Sequence, residues 1–239
     1  MHTSTEILLT RFLSEAGPAV PLTALWAHGS LAKGDYQQGR SDLDLIAVVS
    51  EPPQRAAVER LHRNMDGPLK DRLHCSYLPE KQLADPAREH VTWAGGELFE
   101  RPVTAVTRRE LLTGALELYG PSPETLIPPV SDAELTAFIR ADLRDYWLEM
   151  TRRRRRWLRD EWVDLGMITI ARAAVTLRDG RLITKREALD VLAEMDAPPS
   201  VVAGIRARRY GTDEPPLSRF RRAKLARRFI RESITGVLG

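Results

Sequence analysis

The feature that most constrains this chain is the stretch WAHGSLAKGDYQQGRSDLDLIAVV, residues 26–49. A short apolar run, Leu25–Ala27, stops at a Gly-Ser pair, and a second run, Leu43–Val49, begins beside two aspartates. Apolar runs of this kind, rich in branched residues and bounded by turn residues, are typical of buried strands. The pattern therefore predicts two strands, one that ends in a Gly-Ser turn and one that opens on a pair of carboxylates.

The carboxylate pair consists of Asp42 and Asp44. Because successive side chains of a strand point to opposite faces, these two residues share a face and their carboxylates project together. Like charges held side by side repel each other, and a hard cation such as Mg²⁺, which prefers oxygen ligands, relieves that repulsion. Gly29 lets a ligand approach the backbone, and the Ser30 hydroxyl with neighbouring N–H groups can hold phosphate oxygens. These residues indicate a site for a cation and a phosphate.

The spacing of these residues is the basis of a resemblance. GS at positions 29 and 30, eleven intervening residues and then DLDL at positions 42–45 resemble the signature of the DNA-polymerase-β-like nucleotidyltransferase superfamily. Within that superfamily the chain is most similar to the aminoglycoside adenylyltransferases that act on streptomycin and spectinomycin. The segments 117–126 and 178–195 are similar to that family's link into its helical domain and to a helical hairpin there.

The resemblance implies a metal-assisted transfer of AMP from ATP, the co-substrate, to a hydroxyl group of a small acceptor. An aminoglycoside-like acceptor is implied, as in enzymes of antibiotic resistance. Asp42 and Asp44 would bind one or two Mg²⁺ ions. The triphosphate would lie on Gly29, Ser30 and Ser41.

One position departs from the family pattern. The family's catalytic carboxylate lies at the start of the third strand, predicted here at Leu73–Leu78, and alternation along that strand places His74 where Glu or Asp is expected. An imidazole can accept a proton but adds no negative charge for a metal. His74 is the candidate third catalytic residue, and Asp71 and Glu97 are the alternative donors of a carboxylate.

The pattern of apolar residues changes along the chain. Strand-like and helical patterns alternate before residue 101, whereas only helical spacings of three and four follow Pro129. We therefore predict an α+β fold. A nucleotidyltransferase domain with a small mixed β-sheet and flanking helices spans residues 1–105, and an all-helical bundle spans residues 106–239.

The helical half contains further predicted features. Arg108–Leu118 is predicted as a helix and the Pro-rich segment 121–129 as a linker. Ser131 and Thr184 begin capping boxes, each with Glu three residues later. The resemblance implies that this half forms the other wall of the acceptor cleft. It also implies that Asp190 meets a cationic sugar, because Asp190 matches an acidic residue of the family that contacts the acceptor.

The chain contains 36 Lys and Arg and 33 Asp and Glu, which gives a net charge of +3. Five consecutive arginines, Arg152–Arg156, are predicted to continue the helix that follows Ser131. Successive helical residues are about 100° apart, so five of them surround the helix and cannot form one stripe. We predict a solvated face with salt bridges, from which one or two arginines reach the triphosphate. Nucleic acid is not an expected partner.

Other sequence features concern location and alternatives. No run approaches the roughly 20 apolar residues of a membrane span, and the N-terminus lacks a basic segment followed by an apolar one. The single Cys75 cannot form an internal disulfide. We expect a cytoplasmic protein without a membrane partner. Two alternatives stay open: a nucleotidyltransferase that modifies a protein or RNA, and a nucleotide-binding regulator whose catalysis is weakened at His74.

Overall fold

The computed structural model describes residues 3–211 and 217–238. The chain divides into two compact units, the first ending at Val130 and the second beginning at Ser131. The first unit combines a β-sheet with helices, and the second is helical. The predicted α+β class, a mixed sheet followed by a helical region, is confirmed.

Within the described residues a six-stranded mixed sheet organises the first unit. Its strands are β1 (Leu22–Ala27), β2 (Leu43–Val49), β3 (Leu73–Pro79), β4 (Glu89–Ala94), β5 (Glu97–Pro102) and β6 (Leu116–Tyr119). The spatial order is β5-β4-β3-β2-β1-β6. The central strands β2 and β3 run parallel, whereas the other neighbours pair antiparallel. The N-terminal ends of β2 and β3 therefore lie side by side in the middle of the sheet.

Helices cover both faces of this sheet. They are α1 (Thr3–Ala19), α2 (Gly29–Ala32), α3 (Arg55–Asn64), α4 (Ala105–Gly114) and α5 (Pro123–Leu126), with short 3₁₀ turns at Lys70–Arg72 and Glu80–Gln82. One face packs against α1 and α3 through a core that includes Phe12 and Val58. The other face packs against Leu111 of α4. Because both faces are covered, β2 is apolar at nearly every position, as the sequence indicates.

The end of the first unit differs from the local helix prediction. The segment Arg108–Leu118 is not one helix, because α4 ends at Gly114 and the next residues form β6. β6 hydrogen-bonds along the edge of β1, which offers partners that a helical extension would leave unused. The first unit therefore includes β6 and extends beyond the predicted domain boundary between residues 105 and 106.

The Pro-rich segment 121–129 is packed on the first unit instead of forming a loose linker. The Pro121 carbonyl accepts a hydrogen bond of 2.8 Å from the indole nitrogen of Trp26, a fully buried residue of β1. Ile127 belongs to the core on the same side of the sheet. Arg109 donates a hydrogen bond of 2.6 Å to the carbonyl of Val130. These contacts hold the segment near both of its ends.

The described residues of the second unit form mainly helices. They are α6 (Asp132–Ala141), a π-helical segment (Asp142–Trp147), α7 (Leu148–Met150), a 3₁₀ turn (Arg156–Leu158), α8 (Asp160–Asp179), α9 (Lys185–Glu194), α10 (Pro199–Tyr210) and α11 (Arg219–Leu238). The Ser131 hydroxyl caps α6, and Thr184 with Glu187 forms a complete capping box at α9. Both predicted helix starts are confirmed. Over residues 3–211 and 217–238, no helix has the length and apolar character needed to cross a membrane.

The five arginines do not continue the preceding helix, so that prediction is wrong. α7 ends at Met150, and the chain then forms turns up to the 3₁₀ turn at Arg156–Leu158. Trp157 causes the break, since its ring is fully buried and its indole nitrogen donates a hydrogen bond of 2.8 Å back to the Met150 carbonyl. Burying this ring outweighs the helical continuation, and Arg152–Arg156 are left exposed on a tight turn.

Candidate active site

The N-terminal ends of β2 and β3 bring three predicted residues together. Asp42 lies immediately before β2 and Asp44 lies within it, while His74 is the register partner of Asp44 on β3. His74 Nδ1 is 3.6 Å from Asp44 Oδ1, and His74 Nε2 is 4.0 Å from Asp42 Oδ1. The side chains are partly exposed, 39% for Asp42, 34% for Asp44 and 19% for His74. They form one cluster that solvent and ligands can reach.

The Gly-Ser turn lies against this cluster. Gly29 has a φ of +65°, and a Cβ atom at this position would come within 3.1 Å of Asp44 Oδ2. The backbone N–H of His28 donates a hydrogen bond of 3.0 Å to the Asp44 carbonyl. The backbone conformation therefore calls for glycine, and the absence of a side chain also leaves room for the close carboxylate. Ser30 follows in the half-buried α2.

Ser41, the other predicted phosphate contact, has a structural setting. It is buried, and its hydroxyl oxygen accepts a hydrogen bond of 3.0 Å from the Gln37 N–H. Its own N–H donates to the Gln37 carbonyl at 2.8 Å. These bonds close the loop that leads into Asp42, so Ser41 fixes the start of β2. Its role toward a phosphate stays a prediction.

A hydrogen bond to His74 indicates which of its ring nitrogens carries the proton. The N–H of Gly95, at the turn between β4 and β5, donates to His74 Nε2 at 3.3 Å. An imidazole nitrogen that accepts a hydrogen bond carries no proton, so the neutral ring is protonated at Nδ1. That N–H faces Asp44 Oδ1. His74 therefore presents a donor to Asp44.

Asp42 and Asp44 fit a magnesium ion that arrives with a nucleotide. Mg²⁺ commonly uses one or two carboxylates and completes its shell with phosphate oxygens and waters. Arg72 Nη1 lies 3.4 Å from Asp42 Oδ1 and partly balances the pair. In the described part of the chain, no group of three or more His, Cys, Asp or Glu side chains is arranged to hold a metal ion. Asp71 and Glu97, the alternative donors, are exposed and complete no such group.

A buried ion cluster behind the Gly-Ser turn was not evident from the sequence. Glu110 of α4 is 7% exposed, with its Oε2 3.3 Å from His28 Nδ1 and its Oε1 3.3 Å from Lys33 Nζ. His28 and Lys33 flank α2 on either side. The carboxylate thus ties both ends of the turn to α4. A buried Glu far away in sequence gives no local signal of this role.

Aromatic side chains of β3 and β4 pack against α3. His62 of α3 is buried, stacks on Trp93 with ring centroids 5.0 Å apart, and has its Nε2 2.9 Å from the Tyr77 hydroxyl. Burial, and to a smaller extent the nearby His74, lowers the pKa of His62 to about 3. His62 is therefore a neutral part of the core.

Asp190 belongs to the second unit. It lies on α9 with its side chain 64% exposed, and Arg206 of α10 approaches its Oδ1 to 2.5 Å. An ion pair this exposed adds little stability. The predicted contact of Asp190 with an acceptor stays a prediction.

The chain is similar to known proteins. Residues 8–93, which include the Gly-Ser turn, both aspartates and His74, match the family model of the nucleotidyltransferase domain. The chain is also similar to the crystal structure of spectinomycin adenyltransferase AAD(9) from Enterococcus faecialis with ATP and spectinomycin. The TM-score is 0.71 at 14% identity, over 95% of this chain and 99% of that chain. The chain matches no curated protein sequence.

The two matches agree on the fold and on the class of domain. At 14% identity the structural likeness supports the fold, and the family model adds the class of chemistry, nucleotidyl transfer. Both agree with the resemblance found in the sequence, which is thereby confirmed. Residues 8–93 of this chain match the nucleotidyltransferase domain family.

Proposed function

We propose that this protein transfers AMP from ATP to a hydroxyl group of a small, aminoglycoside-like acceptor in a Mg²⁺-dependent reaction. The observation that carries the proposal is the pair Asp42 and Asp44 beside a turn that requires glycine at position 29. The nucleotidyltransferase domain supports the reaction class. The similar structure, which contains ATP and spectinomycin, supports the nucleotide and the kind of acceptor.

In this reaction the residues divide the work as follows. Asp42 and Asp44 would hold Mg²⁺, which neutralises phosphate charge on the nucleotide and on the leaving pyrophosphate. Gly29, Ser30 and Ser41 would bind and orient the triphosphate. The acceptor oxygen forms a bond to the α-phosphorus, the bond from that phosphorus to the bridging oxygen breaks, and pyrophosphate leaves with the electron pair. The proton of the acceptor hydroxyl must pass to a base.

His74 is the candidate for that base, but its hydrogen bonds favour another role. Its unprotonated Nε2 already accepts from the Gly95 N–H, so it would have to give up that bond to take a proton. Its Nδ1 faces Asp44. We therefore propose that His74 occupies the place of a carboxylate and orients Asp44 without supplying the missing charge. This observation also favours the second candidate function, a nucleotide-binding regulator with weakened catalysis.

Charge supports a cationic acceptor. Residues 1–130 contain 13 Lys and Arg against 17 Asp and Glu, so the unit that carries the aspartates is acidic and attracts polycations. Asp190 offers a further carboxylate, held by Arg206 in an exposed pair that an ammonium group can displace. A polyamine-like aminoglycoside suits both features.

Pyrophosphate release tests the proposal. The purified protein is supplied with Mg²⁺, each of ATP, GTP, CTP and UTP, and a panel of aminoglycosides, with an RNA and a protein mixture as further acceptors. We expect release that requires ATP and an aminoglycoside. If the protein binds a non-hydrolysable ATP analogue but releases no pyrophosphate with any acceptor, the result would favour the nucleotide-binding regulator over the enzyme. Release only with RNA or protein would move the acceptor to that class, and neither binding nor release would refute both functions.

A further inference from the structure

The positive charge of the second unit is concentrated in two segments. Residues 151–160 and 219–238 together contain 13 Lys and Arg against 2 Asp and Glu. The rest of residues 131–239 contains 10 Lys and Arg against 14 Asp and Glu. The proposed transfer of AMP assigns no role to these two segments, so their charge needs a separate explanation.

The fold brings the two segments together. Arg227 Nε of α11 donates a hydrogen bond of 2.7 Å to the Thr151 carbonyl, and Arg231 Nε donates to the Thr151 hydroxyl at 3.3 Å. Further along, Arg222 Nη2 donates to the Leu158 carbonyl at 3.3 Å. The turn that carries the five arginines is thus fixed on α11 at both ends. We name the exposed cations of this turn and of α11 the arginine surface; they are Arg152, Arg153, Arg154, Arg155, Arg156, Arg219, Arg221, Lys224, Arg228 and Arg231.

Few carboxylates balance the arginine surface. Arg152 pairs with Glu149, and Arg228 approaches Glu232 only to 3.9 Å. Among the residues that the structure describes, Arg153, Arg154 and Arg155 have no carboxylate within ion-pair distance. Burial, and then the charges of Arg154 and Arg231, lower the pKa of Arg227. Like charges therefore lie close enough to oppose one another. Of the predicted salt bridges of Arg152–Arg156, the one to Glu149 is present, made by Arg152.

The cations of α11 form a stripe. Arg221, Lys224, Arg228 and Arg231 follow one another at spacings of three and four, which places them on one face of the helix. At 1.5 Å per residue the stripe is about 15 Å long, long enough to contact more than one phosphate of a nucleic-acid strand. The opposite face of α11 is buried in the unit through Ala223, Ala226, Phe229, Ile230 and Ile234.

We propose that the arginine surface binds single-stranded nucleic acid through its phosphodiester backbone. Guanidinium groups match phosphate oxygens in pairs of hydrogen bonds, and a continuous cationic surface follows a chain of phosphates. Phe220, which is 62% exposed at the start of α11, offers a ring on which a base can stack. A membrane surface suits these residues less well, because the apolar face of α11 is already buried and cannot insert.

The sequence-based expectation against nucleic acid rested on the small net charge of +3 and on five arginines surrounding a helix. The second reason no longer holds, because Arg152–Arg156 lie on a turn beside the stripe of α11. The first is weakened, because the cations are concentrated in two segments. The proposal does not depend on AMP transfer, since all its residues lie in the second unit.

Fluorescence anisotropy with the full chain tests the proposal. The probes are a labelled single-stranded RNA, a DNA of the same sequence and a DNA duplex, each titrated between about 50 and 200 mM salt. We expect the single strands to bind more tightly than the duplex. The triple variant Arg153→Glu, Arg154→Glu, Arg155→Glu should lose about tenfold or more in affinity at low salt. Its slope of log affinity against log salt should fall by about 2, since each phosphate contact on a single strand contributes about 0.7.

A matched control carries the same change of charge elsewhere in the second unit. Arg140→Glu, Arg144→Glu, Arg178→Glu alters three exposed arginines outside the arginine surface and should leave most of the affinity. A second variant, Lys224→Glu with Arg228→Glu on α11, tests the stripe if the first variant does not fold, as judged by circular dichroism.

Three results would overturn the proposal. The first is equal loss of affinity in the control and in the variants of the arginine surface, which would show a general charge effect. The second is unchanged binding in both of those variants. The third is binding to anionic lipid vesicles or heparin in the absence of binding to either single strand.

Discussion

The two units of this protein differ in the sign and the distribution of their charge. In the first unit, Glu110 faces Lys33, and Arg72 lies beside Asp42 of the carboxylate pair. In the second, the arginine surface gathers cations with few carboxylates among them. Residues 1–130 carry a net charge of −4 and residues 131–239 a net charge of +7, so the overall +3 conceals both. Net charge of the whole chain is therefore a poor guide to the partners of either unit.

The largest effect is expected at the carboxylate pair. Asp42→Asn or Asp44→Asn should each lower Mg²⁺-dependent AMP transfer by on the order of 10³-fold, because a metal contributes several kcal/mol to stabilising transition-state charge. The fold should persist, since the volume of the side chain is unchanged. Turnover at saturating Mg·ATP measures the effect. The matched control is Asp71→Asn, which changes an exposed aspartate just before β3. Full activity in Asp42→Asn or Asp44→Asn would refute the metal site.

The buried cluster behind the turn should show the next effect. Glu110→Gln keeps the shape of the side chain but removes the charge that faces Lys33. We expect a loss of about 3 kcal/mol in the free energy of unfolding, the cost of breaking a buried pair. We also expect a rise of about tenfold in KM for ATP, typical of a residue that supports a ligand-binding group.

Urea unfolding and steady-state kinetics check both parts of this prediction. Glu117→Gln changes an exposed glutamate of β6 and serves as the control. A loss of stability without a change in KM would assign Glu110 to the fold alone, and would end its proposed support of the nucleotide turn.

His62 should make stability depend on pH. Its pKa is about 3 in the folded chain and about 6.5 in the unfolded chain. Between these values the unfolded state binds more protons, so stability rises with pH. The contribution is fully present above pH about 6.5 and falls by about 2 kcal/mol when the pH is lowered to about 5, at up to about 1.4 kcal/mol per unit.

Urea unfolding at several pH values measures this slope. His62→Gln, which keeps polar groups near the Tyr77 hydroxyl but does not titrate, should flatten it in this range. If the free energy of unfolding depends on pH equally strongly in the variant, a group other than His62 takes up the proton on unfolding.

The smallest effect is expected at His74. His74→Glu restores a carboxylate beside Asp44 and should tighten Mg²⁺ binding and raise AMP transfer several-fold. His74→Ala should lower transfer by less than the roughly 10²-fold typical of a lost general base, because Nε2 is engaged by Gly95. Calorimetry with Mg²⁺ and a non-hydrolysable nucleotide, together with turnover, separates the two. A loss of 10²-fold or more in His74→Ala would make His74 the base.

The sequence predicted the parts of the fold that depend on local signals. β1, β2, β3 and the capped starts of α6 and α9 each carry their pattern within a few residues. The cluster of Asp42, Asp44 and His74 followed from alternation along two strands and from the family pattern.

The missed features depend on contacts between distant residues. LELY at positions 116–119 becomes a strand only because the edge of β1 is available. Glu110 reaches His28 across 82 positions. The arginine run leaves its helix because Trp157 finds a buried site. None of these partners can be identified from a local pattern.

The packing around Gly166 offers a way to separate the placement of charge from its amount. A Cβ atom at this position of α8 would come within 2.7 Å of the Trp157 ring and 2.9 Å of Ile230 on α11. One methyl group in the interior would therefore press on the anchor of the turn and on the helix beside it while every arginine is retained. A substitution at position 166 would therefore change where the arginines lie without changing the number of charges.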